Sequence, residues 1–186
     1  MSNCADSIKV LGAPRDTEVT LENGDRIIGP GNYGGIVTKE PLEFNEEDVE
    51  YLRTFQIVHT SCYSGIDDQI PKLAEAGVRI TYDFSSEFTD EQMKELCPTI
   101  AYGQFSCENL EDARKIAQKA YAYGLGCAVA TAGNEGAVVC TEIGLTEAPG
   151  LKLKGKPLDT MGCGDAFFTG FVLANEASES LFYATL

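Results

Sequence analysis

The chain has 186 residues, enough for one compact domain or for one domain with a small appendage. Apolar residues make up 44% of it, so a sizeable core is feasible and global disorder is not expected. Lys and Arg number 14 against 29 Asp and Glu, a formal net charge of -15; such a surface repels nucleic acid and anionic membranes, and any bound phosphate must rely on local donors or a metal ion.

The first predicted element is a β-hairpin. Residues 17–29, TEVTLENGDRIIG, alternate apolar and polar around Asn23-Gly24, the strongest short-range hairpin signal. A glycine-rich connector, GPGNYGG, follows. Residues 1–40 therefore read as a β-lid segment with its connector, and 41–186 as the main body. From Asn45 the texture changes. NEEDVEYLRTF predicts a helix capped by Asn45, with acids in its first turn. FQIVHTS (55–61) predicts a buried strand, IDDQIPKLAEAG (66–77) a stretch helical toward its end and terminated by Gly77, and VRITYDF (78–84) a second strand. TDEQMKEL (89–96) carries a Thr-x-x-Gln capping box and stops at Pro98. A short strand over 99–103, a long helix over 109–124 ended by Gly124, and strands over 127–131 and 136–141 complete the series, before a last helix in AFFTGFVLA.

Strands and helices alternating at this spacing predict an α/β fold: a mainly parallel sheet with helices on both faces. The strands lack alternation, as expected when both faces are covered. In such sheets ligands sit beyond the carboxyl ends of the strands, which directs attention to the loops at 61–66, 84–88, 103–108, 132–136 and 158–165.

The seven cysteines are odd in number and form no Cys-x-x-Cys pair, so they imply neither a disulfide framework nor a zinc site. Several, such as Cys127 and Cys140, lie in apolar runs and act as small hydrophobes. A reducing cytoplasm is the expected location. No stretch approaches about 18 continuous apolar residues, the length a membrane span needs, and MSNCADSIKV lacks the basic start and apolar core of a signal peptide.

The most informative loop is DTMGCGD, residues 159–165, running straight into the last helix. Gly162 and Gly164 let the backbone turn sharply and a ligand approach closely. The first amides of a helix have no internal partner, so those of Cys163, Gly164, Asp165 and Ala166 can converge on an anion. A phosphate cradle made of backbone suits a protein so poor in cations. Asp165 beside an anion site is explicable if the anion is a transferring phosphoryl group. Its transition state is loose, and catalysis is mostly positioning and charge stabilisation, so a carboxylate that aims an alcohol and accepts its proton late suffices. Read alone, the same residues also fit an ordinary turn with Asp165 as a helix cap. The Gly-x-Gly-Asp of intramembrane aspartyl proteases requires membrane helices that this sequence lacks.

The longer string DTMGCGDAFFTGF resembles the C-terminal signature of the ribokinase-like (PfkB-type) carbohydrate kinases, commonly Asp-Thr-x-Gly-Ala-Gly-Asp before an apolar helix, with Cys163 where alanine is usual. TAGNEG (131–136) is similar to the family's Thr-x-Gly-x-x-Gly nucleotide loop, and the hairpin to its β-lid. Lid, YDFS and DTMGCGD together most resemble the fructoselysine-phosphorylating branch. The resemblance implies an ATP-dependent phosphotransferase acting on a primary hydroxyl of a sugar or ketosamine; a nucleoside kinase of the same family and a catalytically silent nucleotide- or partner-binding remnant are the alternatives. It implies Asp165 as catalytic base, Gly162, Cys163 and Gly164 as anion hole, Asp159 and Thr160 flanking the phosphates, and Thr131, Gly133 and Gly136 shaping the ATP site. Mg²⁺ is implied by the phosphate charge, with Glu108, near the place of the family's Asn-x-x-Glu segment, as a metal-influencing acid; Gln104 stands near the expected asparagine. A homodimer through the lid is a further implication.

Outside these motifs, Lys152, Lys154 and Lys156 read as a solvated loop, His59 as a packed, hydrogen-bonded core residue, and Tyr121 and Tyr123 as packing. Asp83 fits a site role and a turn role equally. The opening strand with its substrate aspartate, the Gly-Gly-Asn-type segment and the final helices that the resemblance calls for are not found in the sequence. The chain alone is therefore expected to bind nucleotide weakly and turn over little.

Overall fold

A computed structural model describes residues 19–22, 25–28, 40–152, 155 and 160–177, and statements about what is present or absent refer to these. Cys4, Asn23-Gly24, the connector, Lys154, Lys156 and Asp159 lie outside them. The chain divides into two units, Met1–Glu43 with Tyr63–Ile66 and Phe44–Cys62 with Asp67–Leu186. In the first, β1 (Val19–Glu22) and β2 (Asp25–Ile28) pair antiparallel, Val19 opposite Ile28 and Glu22 opposite Asp25. The two residues between them are the loop length on which Asn-Gly hairpins are built.

The second unit holds a six-stranded sheet of β3 (Val58–Ser61), β4 (Ile80–Asp83), β5 (Tyr102–Ser106), β6 (Cys127–Thr131), β7 (Gly136–Thr141) and β8 (Gly144–Pro149), in that spatial order. β3 to β6 run parallel; β7 and β8 add antiparallel. Helices α1 (Glu46–Leu52), α2 (Ile70–Glu75), α3 (Asp90–Leu96), α4 (Leu110–Ala122) and α5 (Cys163–Ala177) connect and cover it. The mainly parallel sheet with helices on both faces is the architecture the sequence predicts.

Period-two side chains divide the core. One face carries Tyr82, Phe84, Phe105, Ala128 and Ala130 against Ile70 and Leu73 of α2, Met93 and Leu96 of α3, and Ala113, Ala117 and Ala120 of α4. The other carries Tyr102, Cys127, Val129 and Val139 against Phe168, Phe171 and Val172 of α5. Both faces need apolar residues, which is why the strands read as unbroken apolar runs.

The helix ends follow their sequence signals with one diversion. Asn45 accepts from the amides of Glu47 and Asp48, and Asp48 accepts in return from the Asn45 amide. Asn109 accepts from Asp112 N at the start of α4, and Gly124, at φ 101°, ends that helix against Pro98. Thr89 caps α3 by accepting from Gln92 N, but the Gln92 side chain does not close the expected box. It donates instead to Asp67 (2.8 Å) and to Tyr82 Oη (3.2 Å). Two boundaries and one added strand also differ from expectation. Cys97–Thr99 continues α3 as a 3-10 turn, so β5 starts at Tyr102 and not at Thr99. β8, an exposed edge strand, is additional; Arg114 of α4 holds it through Glu147 at 2.5 and 2.8 Å. The last helix starts at Cys163, so the glycine loop contributes to its first turn.

The far end of α5 is fixed to the sheet by Glu176. Arg79 donates two hydrogen bonds to this carboxylate (2.5 and 2.8 Å) and Tyr102 Oη donates a third at 2.6 Å. Arg79 and Tyr102 together hold the Glu176 carboxyl below the usual carboxylate range. The stabilisation is therefore complete above the unfolded carboxylate pKa and disappears as pH falls through the lower folded value. Thermal melts of wild type and Glu176→Gln are expected to separate at about pH 7 and to converge in strong acid, below about pH 3. Separation unchanged in acid would show that the charge contributes nothing.

Candidate functional site

The parallel strands β3 to β6 end together, and α5 begins at that end. The turn before α5 is made by Gly162 at φ 74°. Two of the four amides expected to face an anion are used within the chain: Cys163 N donates to Thr160 O (3.2 Å) and Ala166 N to Gly162 O (2.9 Å). The amides of Gly164 and Asp165 have no hydrogen-bond partner among the described residues. The cradle is thus narrower than the sequence predicts, because α5 starts earlier and its first turn consumes the flanking donors. Asp165 is exposed, with Oδ2 3.8 Å from where a Gly162 Cβ would stand. Thr160 and Cys163 are exposed too.

Behind Gly164 lies Gln104 of β5. Its side chain is 1% exposed, and its Nε2 is 3.0 Å from the position a Gly164 Cβ would take. A side chain on residue 164 would press on this buried amide, which would have to give by a few tenths of an ångström. Gln104 Oε1 is buried without a hydrogen-bond partner among the described residues. Buried acceptors nearly always have a donor, so this oxygen is open to a donor beyond the described residues.

The same sheet face carries His59, Thr81 and Asp83. Register places His59 beside Thr81, and Asp83 between Ser61 and Gln104. His59 is exposed on the edge strand β3, not packed in a core as predicted; Nδ1 shares a hydrogen bond with Thr81 Oγ1 at 2.9 Å and the ring meets Phe168 edge-on. Asp83 is half-buried and accepts from Ser85 N at 2.8 Å. Ser85 has φ 56°, and it is the one non-glycine residue in the left-handed region among the described residues. Burial pushes the Asp83 carboxyl upward; the Ser85 hydrogen bond opposes this, the Asp165 charge adds to it, and His59 opposes.

The TAGNEG loop leaves β6 at the same end of the sheet. Cys107 N donates to Thr131 O, and the Thr131 hydroxyl points to Phe105 O at 3.4 Å. Gly133–Glu135 forms a 3-10 turn closed by Glu135 N donating to Ala132 O (3.0 Å), and Ala132 N donates to Gly136 O across it (2.8 Å). Gly133, at φ 52°, has open space where a side chain would be, so ligand atoms can come close to its backbone. Gly136, at φ 125°, is instead packed against the β8 backbone at Ala148. Glu135 accepts from Leu110 N at 2.9 Å, tying the loop to the start of α4. Glu108 is exposed just before Asn109. No group of three His, Cys, Asp or Glu set to hold a metal occurs among the described residues.

A cavity of about 810 Å³, lined by Arg79, Tyr102, Gly126, Thr141 and Asn175, opens at the opposite end of the strands. None of the described site residues predicted from the sequence lines it. Gln104 is what sequence reasoning undervalued; the available signal was an amide inside the apolar strand AYGQFS.

The sequence pattern of the pfkB family carbohydrate kinases matches residues 90–184, which takes in both the TAGNEG and DTMGCGD loops. The chain belongs to this family. Family relatives include the fructosamine kinase FrlD of Bacillus subtilis, 32% identical over 89% of this chain and 58% of the relative. The fructoselysine 6-kinase of Shigella flexneri is 28% identical over 91% of this chain and 64% of its own length. The chain thus spans about three fifths of the length of these curated kinases. Among solved structures, the Arabidopsis thaliana ribokinase complexed with ribose and ATP superposes with a TM-score of 0.68 at 19% identity, covering 94% of this chain and 60% of that one. The family's fold is therefore that of the second unit, a ribokinase-like α/β sheet. No helix among the described residues is long and apolar enough to cross a membrane.

Proposed function

We propose that the protein is an ATP-dependent kinase that phosphorylates a primary hydroxyl of a ketosamine such as fructoselysine. The observation that carries this reading is the start of α5: two unpartnered amides, Gly164 and Asp165, beside an exposed Asp165 carboxylate. Two converging N–H groups at a helix N-terminus suit phosphoryl oxygens. Bound ATP supplies the phosphoryl group; the residues of this chain hold and aim. The Gly164 and Asp165 amides fix the γ-phosphoryl oxygens, and Gly162 and Thr160 shape the turn that presents them. Asp165 accepts a hydrogen bond from the acceptor hydroxyl. As the acceptor oxygen bonds to phosphorus and the bond to the β-phosphate breaks, the hydroxyl proton passes to Asp165.

The residues also fit the rest of the nucleotide. Gly133 leaves its backbone open to a ligand, and Gly136 with Thr131 sets the loop's course. With no ready three-acid set among the described residues, Mg²⁺ is best accounted for as arriving on the phosphates with most of its water, as it usually does; the family resemblance assigns Glu108 as the acid that influences it. The family resemblance of the hairpin supports a lid over 1–40, a kinase core over 41–186, and a homodimer joined through the lids. The cysteine usage supports a cytoplasmic location.

A panel tests the reading. The chain is incubated with γ-labelled ATP, Mg²⁺ and, in turn, fructoselysine, fructose, ribose and adenosine, and labelled product is counted, which detects even slow turnover. Label is expected on fructoselysine and to depend on Asp165. Label on adenosine alone would instead make the protein a nucleoside kinase.

A further inference from the structure

Asp165, in the first turn of α5, has a second carboxylate near it on the sheet face that α5 covers. Asp83 lies one strand over from Gln104, and Gln104 reaches beneath Gly164, so Gln104 stands between the two acids. The groups gathered here are acceptors: the Asp83 carboxylate, the Asp165 carboxylate and the buried, unpartnered Gln104 Oε1. Donors are few. His59 Nδ1 is engaged with Thr81, and neither carboxylate has a Lys or Arg partner among the described residues, whose ion pairs are formed by Arg53, Arg79, Lys94, Arg114, Lys115 and Lys119 elsewhere. Asp83 is also held firmly. Its Oδ1 takes the Ser85 amide, and Ser85 adopts a left-handed backbone that few side chains accept.

A site of this composition discriminates by charge. A sugar acid or a phosphosugar would bring negative charge to two carboxylates. A neutral sugar would satisfy acceptors through hydroxyls alone. A ligand carrying both hydroxyls and a protonated amine satisfies the acceptors and the charge together. The amine and the primary hydroxyl of such a ligand are at opposite ends of a six-carbon sugar. The residue that reads the amine should then be separate from the acid that aims the hydroxyl, yet on the sheet face that α5 covers, and Asp83, with Gln104 between it and the α5 turn, meets both conditions.

We propose that Asp83 is the specificity-determining residue of this site: it pairs with the secondary ammonium of a ketosamine whose primary hydroxyl faces Asp165. Gln104 acts as a positioning residue, carrying the α5 turn on one side and flanking Asp83 on the other. The proposal rests on the reading of Asp165 as the residue that aims the hydroxyl.

The test is titration calorimetry on the 186-residue chain with fructoselysine and with fructose, both in EDTA so that no divalent cation competes for the carboxylates. Wild type is expected to bind fructoselysine at least tenfold more tightly than fructose. Asp83→Asn keeps an oxygen for Ser85 N; it should reduce that ratio to near one, while Asp83→Glu should retain part of it. A merely structural role would weaken both sugars alike and leave the ratio standing. A ratio unchanged in Asp83→Asn, equal affinities in wild type, or no binding of either sugar overturns the proposal. Phosphoryl transfer, measured in parallel with Mg²⁺, separates the two readings. Transfer to both sugars with no preference rejects the role of Asp83 and leaves the kinase standing, whereas absence of transfer to every acceptor rejects the kinase reading itself.

Discussion

Asp165→Asn is expected to slow phosphoryl transfer about 10³-fold, within the range of about 10²–10⁴ that a positioned proton acceptor supplies. Nucleotide affinity should stay the same or rise slightly, because the substitution removes a negative charge beside the bound phosphates while leaving the Gly164 and residue-165 amides in place. The split between turnover and binding is the point of the experiment. A helix cap at residue 165 would be served nearly as well by asparagine, so a purely structural Asp165 predicts little change in either quantity. Label transfer from ATP to fructoselysine, alongside calorimetry with Mg·ADP, reads both. Turnover within a few-fold of wild type would remove Asp165 from the chemistry.

The second large effect is on stability. Gly136→Ala should destabilise the protein by about 3 kcal/mol, the upper end of what overpacking and a strained backbone each cost. Gly136 opens β7 at φ 125°, and an added Cβ would fall against the carbonyl of Ala148 and the backbone of Pro149 and Gly150. Those atoms belong to the backbone of the paired strand β8 and the residue that follows it, which cannot yield as a side chain would. Gly133, three residues earlier, is the internal control. At φ 52° with nothing around it, alanine there should cost only about 1 kcal/mol, the left-handed penalty alone. Urea denaturation of the two variants compares them directly. Equal losses would mean that packing against β8 contributes nothing. The contrast also separates two functions within one loop: Gly136 builds the strand, and Gly133 leaves room for a ligand.

Much of the fold can be traced to local signals. The start of α4 is legible because Asn109 is a cap with Asp112 placed to use it, and its end because Gly124 takes a conformation that other residues resist. The Asn-Gly hairpin is legible because the turn requirement and the alternation agree. The misplacements have equally local causes. Pro98 suggests a clean helix stop, yet it is accommodated at the start of a 3-10 turn, and this delays β5. β8 is mostly exposed, so its residues carry no apolar alternation to reveal it; tertiary pairing with β7 makes it a strand. His59 sits in an apolar stretch, but β3 has a sheet neighbour on one side only among the described residues, and the ring stays exposed.

The candidate site was legible to a different depth. DTMGCGD announces a glycine turn and an acid, but not how many amides the first helical turn would consume. The partnership of Gln104 with Gly164 joins residues 60 positions apart and has no sequence signature beyond a polar residue in a buried strand. Asp83 likewise becomes interpretable only when register places it beside Gln104.

Amide resonances of the isotopically labelled chain, followed during titration with Mg·ATP analogue, test the central claim most directly. The Gly164 and Asp165 N–H signals are predicted to move farthest in the α5 turn as phosphoryl oxygens accept from them, while those of Cys163 and Ala166, already bonded to Thr160 and Gly162, move little. A titration that saturates and shifts the Gly133 loop, yet leaves Gly164 and Asp165 where they were, would contradict the account.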